Sequence, residues 1–194
     1  MVMPLTRRWT VDDVRAIADA AQDGTRYELI DGVLLVTPAP RWAHQFVVRE
    51  LVHVLHPHVT QAAIGQLLIA PADIDLAPAS ITQPDLFVVP PANVAVASGV
   101  DVLLAVEVIS PASARTDRGI KREFYLTHGV AEYWVVDADA RTVECHWPTA
   151  AAPTVHRDHL VWRHVDAAPL TIDLVALFGR VDDAVQATAW RERT

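Results

Sequence analysis

The fold is decided by residues 102–137, which read VLLAVEVISPASARTDRGIKREFYLTHGVAEYWVVD. The first residues are aliphatic and β-branched without alternation, a pattern typical of a strand that is buried on both faces. Residues 114–128 then have helical character, with Ser113 as a candidate cap and Gly129 as the stop, and AEYWVVD follows as a second strand. Together these segments predict a β-α-β unit with a right-handed crossover.

Glu107 is the unusual residue of this unit, because it lies inside the apolar strand. An ionised carboxylate between aliphatic side chains is costly to bury unless it is paired or coordinates a metal. Two candidate partners are Asp85, which opens the strand PDLFVV, and Lys121, on the helix after Glu107. The position of Asp85 suits a strand next to that of Glu107. The position of Lys121 suits a side chain that folds back from the crossover helix toward Glu107.

Two carboxylates that converge at one sheet edge indicate a hard oxygen site of the kind that Mg²⁺ or Mn²⁺ prefers. Such a site leaves coordination positions for water and for a phosphate oxygen. A nearby lysine could orient the attacking water or stabilise developing negative charge. The arrangement therefore suits hydrolysis of phosphodiester bonds.

The N-terminal half predicts two helices and a hairpin. Residues 10–24 predict a helix with Thr10 as its cap. The segment RYELIDGVLLVTP alternates and turns at Asp31-Gly32, which is a strong hairpin signal. A second helical pattern follows and is predicted to end at Pro57.

The C-terminal part has weaker patterns. HLVWRHV predicts a strand, PLTIDLVALF (residues 169–178) a short helix, and DDAVQATAW a C-terminal helical piece. The order of all these elements places helices on the faces of a mixed sheet. The predicted fold class is therefore α/β or α+β.

The composition fits one ordinary globular domain. The chain has 194 residues, of which 52% are hydrophobic and 21% charged, and this excludes the disordered class. A net charge of −8 argues against nonspecific coating of nucleic acid, but not against a nuclease whose basic groups line one groove. No apolar run approaches the ~20 residues of a membrane span, and no signal peptide is evident, so a cytoplasmic location is expected. The single cysteine, Cys145, is expected to be buried and unreactive.

QPDLFVV and the stretch from LLAVEVIS to EYWVVD resemble the PD-(D/E)xK nuclease superfamily. They resemble more closely its Uma-type restriction endonuclease family, and YELIDGVLLVTPAPRWAHQ is similar to that family's opening pattern. The resemblance covers residues 25–140. It implies a restriction-endonuclease-like mixed central sheet flanked by helices. It also implies a single nuclease-like domain over residues 1–194, with 178–194 as a candidate C-terminal extension.

The same resemblance implies a metal-dependent endonuclease that hydrolyses DNA through a metal-bound water. Asp85 and Glu107 would hold Mg²⁺ or Mn²⁺. Lys121 would be the catalytic lysine, because Ile109 occupies the position where the superfamily usually has it. Glu28 and His44 match the N-terminal pattern and would be auxiliary catalytic residues. A homodimer is expected, since two sites would allow two DNA strands to be cut.

Two alternatives stay open at this point. Asp117 precedes Lys121 by one helical turn, and it is either an ion-pair partner or a further site residue. The whole cluster is alternatively a buried ionic network in a noncatalytic interaction protein that keeps the nuclease fold. The missing lysine at position 109 favours this second interpretation.

Overall fold

The N-terminal part of the chain begins with a capped helix. In the computed structural model, which describes residues 8–21, 24–91, 101–165 and 167–191, helix α1 is Val11–Ala20. The Thr10 hydroxyl accepts a hydrogen bond from the Asp13 amide, and the Asp13 carboxylate accepts one from the Thr10 amide. This capping box satisfies backbone groups that the helix itself cannot, and it confirms the predicted start.

A β-hairpin follows, as predicted. Strands β1 (Arg26–Ile30) and β2 (Val33–Thr37) pair antiparallel. Asp31 and Gly32 have φ values of 52° and 81°, the left-handed conformation that a two-residue hairpin turn needs. Because side chains alternate along a strand, Arg26 and Glu28 lie on the same face of β1.

Helix α2 (Trp42–Gln61) is longer than the sequence predicts, because it continues through Pro57. Proline removes the backbone N–H that would bond to the carbonyl of His53. Leu55 and Val59, on either side of the proline, are both buried. Their packing offsets the lost hydrogen bond, so the predicted helix end at Pro57 is wrong.

A six-stranded mixed sheet forms the centre of the fold. In spatial order its strands are β3 (Gln66–Ile69), β4 (Leu86–Val89), β5 (Leu104–Val108), β6 (Tyr133–Asp137), β7 (Thr142–His146) and β8 (Thr154–His156). β5 and β6 are parallel, and the other neighbouring strands are antiparallel. The mixed sheet flanked by helices confirms the predicted fold class.

The connection between β5 and β6 is helical but not one regular helix. It consists of α3 (Ala114–Thr116), a π-helical turn (Asp117–Lys121) and α4 (Arg122–Thr127). A π-helical turn is wider than an α-helical one and often occurs at functional sites. Both ends of this turn, Asp117 and Lys121, are buried, with exposed fractions of 2% and 3%.

The C-terminal part adds a second hairpin and a long helix. Strands β9 (His159–Trp162) and β10 (Leu170–Asp173) pair antiparallel, and α5 is Leu174–Arg191. The short helix predicted over residues 169–178 is therefore wrong in its first half. Pairing with β9, which local sequence does not encode, holds Leu170–Asp173 as a strand.

The two faces of the sheet carry different layers. Helices α2 and α5 pack against each other on one face, where Leu51, Trp134 and Phe178 are buried. Position 178, the boundary of the candidate extension, thus lies inside a helix that packs on the core. The other face carries the side chains of Ala105 and Tyr133, packed with Phe124 of α4 and Ile30 of β1.

Cys145 is buried in β7, as predicted. Burial and the nearby Glu132 carboxylate raise the pKa of its thiol, which disfavours the reactive thiolate. Among the helices that the structure describes, none is long and apolar enough to cross a membrane.

Candidate active site

Asp85 and Glu107 meet at one edge of the central sheet. β4 and β5 are antiparallel with Leu86 opposite Val106, so the residue before β4 lies beside the next residue of β5. The Val108 amide donates a 2.8 Å hydrogen bond to Asp85 Oδ2. Asp85 is 3% exposed and Glu107 2%, so the predicted pair of carboxylates is together and withdrawn from solvent.

Lys121 lies among three carboxylates. Its Nζ is 2.6 Å from Glu28 Oε2, 3.0 Å from Glu107 Oε1 and 3.6 Å from Asp117 Oδ1. The π-helical turn thus directs the lysine inward, toward the strand that carries Glu107. Asp117 is an ion-pair partner of this lysine, one of the two roles that the sequence leaves open.

Glu107 also accepts a hydrogen bond from a tyrosine. The Tyr125 hydroxyl donates to Glu107 Oε1 over 3.1 Å. Burial and the charge of Glu107 raise the pKa of Tyr125 well above its usual range, so the hydroxyl keeps its proton. The bonds from Tyr125 and Lys121 both use Oε1, and Oε2 takes part in neither.

Asp85 has cationic partners of its own. Arg26 Nη1 is 2.7 Å from Asp85 Oδ1, and His44 Nε2 is 2.9 Å from Oδ2. His44 lies in the first turn of α2, which therefore reaches this edge of the sheet. Burial alone would raise the pKa of Asp85, but the bond to His44, the charge of Arg26 and the Val108 amide hold it below its usual range.

Lys121 and Glu107 differ in whether their neighbours outweigh the effect of burial on the pKa. Burial opposes the charge of Lys121, yet Glu107, Glu28 and Asp117 together raise its pKa above its usual value. The lysine is therefore protonated. For Glu107, burial raises the pKa well above its usual value, and Asp85, Asp117 and Glu28 add to this, while Lys121 opposes them. The cluster therefore favours the protonated form of Lys121 and disfavours the ionised form of Glu107.

The site has more negative than positive groups. Its carboxylates are Glu28, Asp85, Glu107 and Asp117, and its permanent cations are Arg26 and Lys121. Carboxylate oxygens and an excess of negative charge fit a hard divalent cation. Among the described residues, however, no three histidine, cysteine or carboxylate side chains are already arranged around one metal position. The donor set thus fits Mg²⁺ or Mn²⁺, provided that a cationic side chain gives up its carboxylate.

All five residues that the sequence analysis singled out come together at this edge: Glu28, His44, Asp85, Glu107 and Lys121. Arg26 and Tyr125 lie in the same cluster, although neither was among the residues predicted from the sequence. Both carry a positional signal, since Arg26 precedes Glu28 by two residues on a strand and Tyr125 follows Lys121 by four on a helix. These spacings place each beside a residue that was already a candidate.

The fold is that of a restriction-endonuclease-like protein. A solved structure described as a "putative nuclease belonging to DUF820", from Anabaena variabilis ATCC 29413, is similar with a TM-score of 0.73 and 21% identity. The similarity covers 89% of this chain and 99% of that one, and at this identity it concerns the fold alone. The model of the Uma2 family, described as "Putative restriction endonuclease", matches residues 11–174, and the chain belongs to this family. A comparison with curated proteins gave no match.

Proposed function

We propose that the protein is a Mg²⁺- or Mn²⁺-dependent endonuclease that hydrolyses phosphodiester bonds in DNA. The observation that carries this proposal is the surplus of buried carboxyl groups over cationic side chains at one sheet edge, where four carboxyl groups face Arg26 and Lys121. A divalent cation bound there would relieve the surplus. Membership of a family described as restriction endonucleases supports DNA as the substrate.

In this proposal Asp85 and Glu107 hold the metal. When bound, Mg²⁺ supplies a more acidic water and neutralises charge on the phosphate. Lys121 is protonated and fixed by Glu28 and Asp117, so it can orient the attacking water or stabilise charge that develops on the phosphate. His44 contacts Asp85 and would keep that ligand in its orientation.

Cleavage assays with single-stranded, double-stranded and branched DNA, in Mg²⁺ or Mn²⁺, test the proposal. The proteins compared are the wild type, Glu107→Ala, Glu107→Gln and the matched control Glu123→Gln, whose glutamate is exposed on α4. We expect the wild type and the control to cleave, and both Glu107 variants to lose at least about 100-fold in rate. Activity that survives in both Glu107 variants would contradict the assigned site.

A second candidate function is a noncatalytic interaction protein of the same fold, with a buried ionic network in place of a metal site. Its support is the pairing of Glu28, Asp85, Glu107 and Asp117, each of which contacts a cationic side chain and is at most 3% exposed. Thermal unfolding during a Mn²⁺ titration separates the two. A metal site predicts a Tm that rises with Mn²⁺ concentration, whereas a closed network predicts no change.

We also propose a homodimer, which would provide two sites for two strands. Strand β3 is an outer strand of the sheet, and its Leu68 and Ile69 are 37% and 51% exposed. Light scattering should give the mass of two chains for the wild type. Ile69→Lys, which places a charge on this edge strand, should give the mass of one. A monomeric wild type would contradict the dimer.

A further inference from the structure

Both oxygens of Asp85 already have partners. Oδ1 accepts a hydrogen bond from Arg26 Nη1 at 2.7 Å. Oδ2 lies 2.9 Å from His44 Nε2 and accepts the Val108 amide proton at 2.8 Å. Because Asp85 is 3% exposed, the carboxylate has little room for an additional ligand. A cation that binds Asp85 must therefore take the place of one of these groups.

Arg26 is the partner that a second cation would displace most readily. A guanidinium keeps its positive charge at every pH at which proteins fold, so it is repelled by a divalent cation on the same carboxylate. The Val108 amide carries no net charge, and it belongs to the backbone of β5. The repulsion therefore acts on Arg26, whose side chain can rotate.

Arg26 has donors that its present contacts do not use. Its Nη1 contacts Asp85 and, at 3.3 Å, the carbonyl oxygen of Gln83. Its Nε is buried and has no hydrogen-bond partner among the described residues. A guanidinium carries five N–H donors in a planar fork, a geometry that suits phosphate. The Arg26 side chain is 13% exposed, so part of it is accessible from solvent.

The backbone under Arg26 is held independently. Glu28 lies two residues further along the same face of β1, is 0% exposed, and contacts Lys121 at 2.6 Å. Its other oxygen accepts the Gln83 amide proton at 2.9 Å. The strand therefore stays anchored when the Arg26 side chain changes its partner.

We propose that Arg26 is a substrate-binding residue, which exchanges Asp85 for a phosphate oxygen of the substrate when a divalent cation binds Asp85. The inference rests on the proposed function, because Asp85 is the metal ligand in it. Before metal binds, Arg26 neutralises Asp85 and competes with the metal. Once released, its donors hold the phosphodiester, so metal and substrate strengthen each other's binding.

Calorimetric titration with Mn²⁺ alone tests the competition. The proteins are the wild type, Arg26→Gln, Arg26→Lys and the control Arg118→Gln, whose arginine contacts Asp137 and Glu144 instead. Glutamine can still donate to Asp85 but has no charge, so we expect Arg26→Gln to bind Mn²⁺ about tenfold more tightly. Arg26→Lys, which keeps the charge, and Arg118→Gln should both bind as the wild type does.

Two outcomes of this titration would overturn the inference alone: equal Mn²⁺ affinity in the wild type and Arg26→Gln, or an equal gain in Arg118→Gln, which would indicate a general charge effect. No Mn²⁺ binding in any of the four proteins would overturn the proposed function and this inference with it. Circular dichroism of each variant establishes that it is folded before the titration.

The second half of the exchange is tested by DNA binding. Fluorescence anisotropy with labelled single-stranded, double-stranded and branched DNA, in Ca²⁺ to limit cleavage, gives the affinities. Arg26→Gln should bind DNA about tenfold more weakly than the wild type although it binds metal more tightly. If Arg26 were only structural, its substitution would lower the affinities for both metal and DNA. If it only competed with the metal for Asp85, its substitution would leave the DNA affinity unchanged. Either result would overturn the proposal, as would a wild type that binds no DNA probe.

Discussion

Glu107 is a buried carboxylate whose ionised form the folded protein disfavours, as its raised pKa indicates. In Glu107→Gln the amide oxygen can still accept the bonds from Tyr125 and Lys121, while one of the four carboxyl groups is lost. Because a raised pKa means that folding disfavours the ionised form, we expect the free energy of unfolding of Glu107→Gln to exceed that of the wild type at neutral pH. Urea denaturation without metal measures this change.

The same substitution should remove the stabilisation by Mn²⁺, because Glu107 is a metal ligand in the proposed function. Stability and function therefore conflict at this residue. Glu123→Gln is the control for the loss of a carboxylate, because Glu123 is exposed on α4. Its free energy of unfolding should stay within about 0.5 kcal/mol of the wild type. A Glu107→Gln protein that is less stable than the wild type would show that the ionised carboxylate is a net stabilising group.

Lys121 is the residue whose loss should harm the fold most. Lys121→Met leaves Glu28, Glu107 and Asp117 buried without their shared cation. Breaking a buried ion pair from one side typically destabilises by about 3–5 kcal/mol, and we expect a loss of this size in urea denaturation at neutral pH. Arg118→Met, which removes an arginine whose side chain is 38% exposed, should lose no more than about 1 kcal/mol. Equal losses in the two variants would contradict a special role for the buried lysine.

At the scale of the elements, two glycines predict opposite effects of the same substitution. A Cβ on Gly65, just before β3, would overlap the carbonyl oxygen of Val89 on the neighbouring strand. Gly179, inside α5, has no such neighbour within 4 Å. We expect Gly65→Ala to destabilise by about 2 kcal/mol and Gly179→Ala to stabilise by about 1 kcal/mol, because alanine favours helix. Thermal unfolding checks both signs, and a stable Gly65→Ala protein would contradict the close approach of these strands.

Local signals predict the elements whose ends depend on local contacts. Thr10 and the pair Asp31-Gly32 act within a few residues of themselves, so α1 and the first hairpin are predicted correctly. The errors at Pro57 and at Leu170–Asp173 have a different origin. Helix α2 continues through Pro57 because its flanking residues are buried against another layer of the fold. Leu170–Asp173 form a strand because they pair with β9, a contact that the local sequence does not encode.

The residues of the candidate site likewise differ in whether the local sequence indicates them or only the folded chain brings them together. Glu107 stands out in the sequence because its charge lies in an apolar strand, and the topology of β5 and its crossover helix then directs attention to Asp85 and Lys121. Arg26 gives a weaker signal, since an arginine at the start of a strand is ordinary and only its position two residues before Glu28 distinguishes it. Its importance comes from a contact with Asp85, 59 residues away, which only the folded chain creates.

At the scale of the whole molecule, two sets of carboxyl groups have pKa values shifted in opposite directions. The pKa values of Asp85 and Glu50 are lowered, in each case against burial, by hydrogen bonds to His44 and to Arg180 respectively. Burial raises those of Glu107, Asp117 and Glu132. The first set stabilises the fold above the ordinary carboxyl pKa of about 4 and loses this effect as the pH falls. The second set stabilises it below that pKa and loses the effect as the pH rises through the raised values.

We therefore expect these raised groups to lower the stability of the metal-free protein as they ionise, at pH values above the ordinary carboxyl pKa of about 4. Mn²⁺ should reduce this decline, because the ion binds the deprotonated form of Glu107 and so stabilises the folded state most where that carboxylate is ionised. Urea denaturation across this range, with and without Mn²⁺, measures both effects. The difference between the wild type and Glu107→Gln isolates the titration of this residue, since the other groups are common to both proteins. If the stability of the metal-free wild type rises steadily toward pH 8, in parallel with that of Glu107→Gln, the raised pKa of Glu107 is contradicted. Glu107 would then not be a carboxylate that lacks a sufficient cation.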